Sequence, residues 1–331
     1  MRSRRTLRDV AEVAHVSEMT VSRVLTGKPG VAPATKENIL RIIDELGYVP
    51  NRLAGSLATS RSNQVAVIIP SLINNVFPEV TSGVADSLEL AGYNAVVGIT
   101  DYNPVKEESL IRSMMSWRPA GFIVAAHNST TRTHNMLRNA NIPVVEIMDI
   151  PDEPIDICIG LNQKEAARAL ARHLVAKEYR SFGYVGLSDR DSSAAKRFSA
   201  MQEVLLQTDL SIEHRALFDQ PPDMVMGKQG VIDLLAENPN LDVVVFSNDT
   251  AAIGAYMHCI EKGIEVPEQL AIAGYSGLNT GQIMPKKLTT VVTKRYEIGR
   301  LAARAVVNEL DGQEVTRLVD LGFDLIEGET A

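Results

Sequence analysis

The sequence predicts an α/β protein with a small all-α headpiece and a larger body of parallel sheets. Three observations predict it. The first ~50 residues read as three short helices by their caps and apolar spacing. From Val65 onward, short continuous apolar runs alternate with helical stretches. The chain, at 331 residues, is too long for a single such sheet, so two sheets side by side are expected, in two or three domains of roughly 100–200 residues each.

In the head, Thr6 precedes the run Leu7, Val10, Ala11, Ala14, with Asp9 three positions beyond it. That is a capping-box variant: the Thr hydroxyl and the acidic side chain each satisfy a backbone N–H of the first turn. His15-Val16 breaks the run. Ser17 caps a second helix over Glu18 to Leu25, stopped by Gly27. Pro33 suits the first turn of a third helix with buried stripe Ile39, Ile42, Ile43, Leu46 and stop Gly47. Two short helices joined by a tight turn and braced by a third form a helix-turn-helix. The outward side of the second helix carries Glu18, Met19, Thr20, Ser22 and Arg23, while Val21 and Val24 face inward. A short polar helix with an Arg fits a major groove, where its first residues reach base edges.

The strands of the body are expected at Val65–Ile69, Ala95–Ile99, Phe122–Val124, Val144–Met148, Ile157–Ile159, Phe182–Val185, Val243–Phe246 and Leu270–Ala273, with helices near Glu79–Ala91 and Glu107–Trp117 and a final strand over Leu318–Ile326. Continuous apolar strands between helices mean sheets covered on both faces. The strands end in polar or turn residues, Ser71, Asp101, His127-Asn128, Asp149, Asn248-Asp249 and Ser276. Open α/β sheets bind ligands beyond the carboxyl ends of their strands, so these ends predict a ligand cleft.

Charge separates head from body. Residues 1–63 hold ten Lys/Arg against six Asp/Glu, whereas the rest hold 23 against 35. A basic head on an acidic body points to polyanion binding by the head alone. Several classes are excluded. No run of 18 apolar residues offers a membrane span. No apolar stretch follows Met-Arg-Ser-Arg-Arg, so no secretory signal is expected. Cys158 and Cys259 stand far apart, which argues against a disulfide framework or a Cys-based zinc site and for a reducing cytoplasm. The histidines lack metal spacing, and no phosphate-binding loop, dinucleotide fingerprint or nucleophile elbow occurs, so neither cofactor nor enzyme is expected.

Leu7-Arg8-Asp9-Val10-Ala11, Val16 to Leu25 and Leu46-Gly47-Tyr48-Val49-Pro50-Asn51 together resemble the headpiece of the lactose-repressor (LacI) family of bacterial transcription regulators. One departure is local: the family usually starts the third helix with Val-Ser, and Val31-Ala32-Pro33 stands here, without the capping hydroxyl. The resemblance extends along nearly the whole chain. It implies a headpiece over 1–48, a hinge helix and linker over 49–63, and over 64–331 a ligand-binding and dimerisation body like a periplasmic sugar-binding protein. The body would have an N-subdomain of about 64–161 and 292–317 and a C-subdomain of about 162–291 and 318–331, with crossings near Leu161, Val292 and Leu318. The resemblance places DNA contacts on Thr6, Ser17, Glu18, Met19, Thr20, Ser22, Arg23 and Asn51, with Leu57 as a minor-groove wedge. It places ligand contacts on Ser71, Asn74, Phe77, His127, Asp149, Arg197, Asn248 and Ser276. Double-stranded operator DNA, a second copy of the chain and a small effector are the implied partners; with no Leu heptad tail, a dimer rather than a tetramer is expected.

Two departures bear on the effector. Arg197 is followed by Phe198-Ser199-Ala200-Met201 where the family has a Gly-aromatic pair. Where the family commonly has Gly-aromatic-Asp-Asp, this chain has Gly274-Tyr275-Ser276-Gly277. Losing carboxylates while keeping Arg197 makes the cleft less hostile to an anion, and Arg can hold a carboxylate bidentately. A sugar acid is therefore expected. Pro70 to Phe77, Ser116-Trp117, Val145 to Asp149 and Met19 look most like the gluconate-operon repressor branch. The alternatives are a neutral or phosphorylated sugar as effector or, in a different class, a cytoplasmic sugar-binding or sugar-modifying α/β protein.

Overall fold

The computed structural model describes residues 5–49, 62–73, 75–125, 129–188, 191–220 and 222–331. The chain divides into two units, Met1–Ser62 and Asn63–Ala331.

In the first unit, α1 (Leu7–Val13) opens on the expected capping box: Asp9 N donates to Thr6 Oγ1 at 3.3 Å and Thr6 N to Asp9 Oδ2 at 2.8 Å. His15 takes a left-handed φ of 53° and turns the chain. Ser17 Oγ accepts Thr20 N at 3.2 Å to start α2 (Glu18–Leu25). Then α3 (Pro33–Leu46) begins with Pro33 in its first turn and no side-chain cap at Ala32, as the missing hydroxyl implies. Val10, Ala11, Val21, Val24, Ile39, Ile42 and Ile43 close over one another as a separate core.

The second unit holds two six-stranded sheets. The first contains β1 (Gln64–Ile69), β2 (Asn94–Ile99), β3 (Gly121–Val124), β4 (Val144–Asp149), β5 (Ile157–Leu161) and β11 (Leu318–Asp320), in the order β11-β5-β4-β3-β1-β2 and all parallel. Strand β1 shows why its run is apolar throughout. Val65, Val67 and Ile69 pack with α4 (Val76–Leu90) and α12 (Arg295–Leu310), while Ala66 and Ile68 pack with α5 (Pro104–Met115) and α6 (Thr131–Arg138). The second sheet contains β6 (Phe182–Leu187), β7 (Ile212–Phe218), β8 (Val243–Phe246), β9 (Ala271–Ser276), β10 (Thr289–Thr293) and β12 (Phe323–Ile326), in the order β12-β10-β9-β8-β6-β7. Only its β10–β12 pair is antiparallel. Helices α7 (Gln163–Ala176) and α8 (Ser192–Leu206) cover one face, and α9 (Met224–Glu237) and α10 (Asp249–Lys262) the other.

Helix α12 lies against α4 at close range. A Cβ on Gly83 would strike the Tyr296 carbonyl, and one on Gly299 the Val80 carbonyl. Leaving β10, the chain therefore returns to the first lobe at Lys294. The single final strand expected over Leu318–Ile326 is two strands in different sheets: β11 pairs with β5 and β12 with β10. Gly322, at a φ of 63°, turns the chain between them. The third crossing consequently falls at Leu321–Gly322 rather than near Leu318, and β11 belongs to the first lobe. Strand β7 was not foreseen because it lies at the sheet edge, where Ile212 and Ala216 are buried but most of the residues between them are not, so its sequence Ile-Glu-His-Arg-Ala-Leu-Phe lacks a continuous apolar run.

Candidate functional site

On the head, Glu18, Met19, Ser22 and Arg23 are exposed, and Met19 keeps 69% of its surface open. The hydroxyls of Thr6 and Ser17 are engaged in helix caps, and Thr20 Oγ1 lies 2.9 Å from Ser17 Oγ. Thr6 thus fixes the start of α1, and Ser17 with Thr20 the start of α2, on which Met19, Ser22 and Arg23 stand exposed. Asn51 and Leu57 lie outside the described residues.

In the body a cleft opens at the carboxyl ends of both sheets. Val76, Phe77, Tyr102 and Met148 of the first lobe face Gln163, Asp191, Ser193, Arg197, Ser247, Asn248, Tyr275, Ser276 and Thr293 around about 50 Å³ of space. Of the expected ligand residues, Phe77, Arg197, Asn248 and Ser276 share this cleft. Ser71 is buried apart from its lining, with Oγ accepting Ile73 N at 3.0 Å. Asn74 and His127 lie outside the described residues.

Arg197 is almost fully buried. Its guanidinium donates to Gln163 Oε1 at 3.1 Å and Ser247 O at 3.3 Å and stacks 4.5 Å above the Tyr275 ring. The nearest acidic oxygen, Asp191 Oδ2, stands at 3.8 Å. Burial works against the Arg197 charge, but Asp191 and the two tyrosines Tyr275 and Tyr184 outweigh it and hold the pKa above its ordinary value. Phe198 packs edge-on against Tyr184 at 5.0 Å and beneath Arg215.

Gln163 was not foreseen. Its Oε1 accepts both Arg197 and the Tyr275 hydroxyl (2.9 Å), while its Nε2 donates to Met148 O across the lobes at 2.8 Å. The signal was its place just beyond the first crossing at Leu161. Nor were Arg295 and Glu79, which pair bidentately at 3.0 Å. Arg295, 4% exposed, also donates to the carbonyls of Ser276 and Gly277. It thereby holds the loop in which the family's carboxylates are missing, with Ser276 at a φ of 121°. Asn248 caps α10 through Ala251 N at 2.9 Å. Asp249 is fully buried; burial pushes its carboxyl up to about 6, although Thr290 Oγ1 and Leu278 N both donate to it at 2.6 Å. Asp149 Oδ2 accepts Lys196 Nζ at 2.6 Å and Asp149 Oδ1 accepts Ile150 N at 2.9 Å. Two buried hydroxyls on the lining, Ser193 Oγ and Ser247 Oγ, make no hydrogen bond. Cys158 and Cys259 are both buried and unpaired, their thiols pushed up by burial to about 12 and about 11.

Residues 6–51 match the family described as bacterial regulatory proteins, lacI family, and residues 62–327 match periplasmic binding proteins and sugar binding domain of LacI family. The chain belongs to the LacI family. It is 34% identical over 328 residues to the HTH-type transcriptional regulator GntR of Escherichia coli (strain K12), covering 99% of this chain and 98% of GntR. It is 33% identical to IdnR of the same strain, covering all of both chains. The crystal structure of a LacI-family regulator from Silicibacter pomeroyi superimposes with a TM-score of 0.93 at 41% identity, covering 98% of this chain and 99% of that one. A lac repressor dimer bound to operator and the anti-inducer ONPF superimposes at 0.82 over 99% of each chain; at 23% identity it shows a shared fold. This LacI-family chain is thus a transcriptional regulator and not an enzyme. Among its described residues no helix is long and apolar enough to cross a membrane.

Proposed function

We propose that this LacI-family repressor binds a palindromic operator as a dimer and is released by a small sugar acid such as gluconate. Residues 1–48 are the DNA-reading head, 49–63 the hinge, and 64–331 the effector and dimerisation body. Arg23 and Met19 read bases or phosphates from α2, and Leu57 kinks the duplex from the minor groove. One headpiece makes too few contacts for specific affinity, so a pair is required.

The observation that carries the effector reading is Arg197: a buried guanidinium facing the cleft, its closest carboxylate 3.8 Å away, beside a loop with Tyr275-Ser276-Gly277 in place of family carboxylates. A ligand carboxylate gives this Arg an acidic partner at hydrogen-bond distance, closer than Asp191. The unpartnered hydroxyls of Ser193 and Ser247 offer hydrogen bonds to a polyol. The full-length similarity to GntR and IdnR supports the same reading. Asp191 on the same lining favours a second reading, a neutral sugar held through its hydroxyls.

A thermal-shift screen of sugars, sugar phosphates and sugar acids separates them, because a ligand stabilises its folded receptor by RT ln(1 + [L]/Kd). Sugar acids are expected to raise the melting temperature of the wild type. Arg197→Ala is expected to lose that response while still binding operator. A response confined to neutral or phosphorylated sugars overturns the sugar-acid reading.

A further inference from the structure

We propose that Lys196, paired across the cleft with Asp149, is the residue that senses the effector's carboxylate: a bound anion takes Lys196 Nζ away from Asp149, so recognition of charge and release of an inter-lobe ion pair are one exchange. This rests on the sugar-acid reading above and assigns its charge selectivity to a residue other than Arg197.

Arg197 and Lys196 are neighbours on α8 but differ in their partners. Arg197 is held wholly from its own lobe, by Gln163, Ser247, Asp191 and Tyr275. Lys196 reaches the other lobe. Its Nζ lies 2.6 Å from Asp149 Oδ2, at the end of β4. Among the described residues this is the only ion pair whose two members sit in different lobes. Ser193 lies three residues before Lys196 and four before Arg197, so its hydroxyl stands within one turn of both cations. Ser193 points a buried, unpartnered hydroxyl into the cleft, and Met148, which precedes Asp149, lines it from the opposite side. Lys196 and Asp149 are not on that lining, but their immediate neighbours Arg197 and Met148 are, so the pair stands next to a cavity that already offers unmet hydrogen bonds.

The two cations also differ in what they can give up. Arg197 is 9% exposed and fixed by two acceptors and a ring. The Lys196 side chain is 32% exposed, and an ammonium on a flexible stem turns readily to a new partner. A ligand carboxylate near Ser193 meets an ammonium that it can claim by swapping one carboxylate for another, and Asp149, 8% exposed, then keeps the Ile150 N–H as its hydrogen-bond donor. A neutral polyol cannot make this exchange and leaves Lys196 on Asp149. Selectivity then comes from the competition between Asp149 and the ligand, and the lobes lose an electrostatic tie only when an acid is bound.

The test is calorimetric titration of the full-length protein with gluconate and with glucitol, the polyol in which a CH2OH replaces the carboxylate. The wild type is expected to prefer gluconate at least tenfold. Lys196→Met is expected to shrink that preference to within about threefold, with glucitol affinity unchanged, and Lys196→Arg to restore most of it. Asp149→Asn removes the competitor and is expected to raise the preference for gluconate over glucitol severalfold. A pair that merely ties the lobes together predicts the same change for both variants and both ligands, and that outcome overturns the assignment. So does a Lys196→Met protein that keeps the wild-type preference while the wild type answers to gluconate; the sugar-acid reading then stands and only this assignment fails. A wild type that binds no sugar acid overturns both.

Discussion

The headpiece and the cleft are built by opposite rules. In the head, each functional feature is fixed by residues next to it in sequence: Thr6 by Asp9, Thr20 by Ser17. In the cleft the decisive pairs are far apart in sequence: Lys196 with Asp149, Tyr275 with Gln163, Arg295 with Glu79, separated by 47, 112 and 216 positions. The head can therefore present α2 with a core of its own, whereas the cleft exists only when both sheets are assembled. Damage to the head should stay in the head, while damage to a cleft pair should spread through both lobes.

The sharpest way to break that contrast is a core deletion in the head. Ile39 is fully buried, and truncating a buried Ile to Ala costs about 2–5 kcal/mol. Ile39→Ala is expected to unfold the first unit and abolish operator binding while leaving effector affinity and the main thermal transition unchanged. A shifted main transition would show that the units are not independent. Next in size is Glu79→Ala, which strands the buried Arg295 guanidinium. Breaking a buried pair costs roughly 3–5 kcal/mol; with the Glu79 side chain 40% exposed, the lower end, about 3 kcal/mol, is expected in urea unfolding of the body. Ligand affinity should fall too, because Arg295 also holds the carbonyls of Ser276 and Gly277. An unchanged affinity would mean that this loop does not set the cleft.

The smallest effect sharpens the local rule. Ala32 stands where a capping hydroxyl is missing at the start of α3. Ala32→Ser should stabilise the head by about 1 kcal/mol, read as a higher melting temperature of the first unit with no change in effector binding. Thr6→Ala should move it the other way by a similar amount.

This contrast also explains what could be read in the sequence. The caps of α1 and α2 and the bare start of α3 were legible, because a cap is a local agreement between a side chain and N–H groups two or three residues on. So were the buried strands β1 and β8, whose apolar runs are continuous. Strand β7 hides because an edge strand buries only part of its surface, and β11 and β12 merged because a crossing at Leu321–Gly322 leaves no break in polarity. Within the cleft, Arg197, Phe77, Asn248 and Ser276 could be placed from strand ends and motif likeness. Gln163, Lys196 and Arg295 could not, since nothing near a Lys or a Gln in sequence reports which distant carbonyl or carboxylate it will meet. Asp149 was legible as a strand-end carboxylate, but its partner was not.

The central claim is that occupation of the cleft by a sugar acid weakens operator binding. A ligand shifts an equilibrium only by its differential affinity for the two states, and an allosteric coupling of about 1–3 kcal/mol changes affinity roughly 5–150-fold. The direct measurement is fluorescence anisotropy of a labelled operator titrated with the full-length protein, without effector and with saturating gluconate, related sugar acids, neutral sugars or sugar phosphates. The account predicts that a sugar acid lowers operator affinity by a factor within that range and that neutral and phosphorylated sugars leave it unchanged. Release by a neutral or phosphorylated sugar but by no acid, or a sugar acid that tightens the complex, would contradict it.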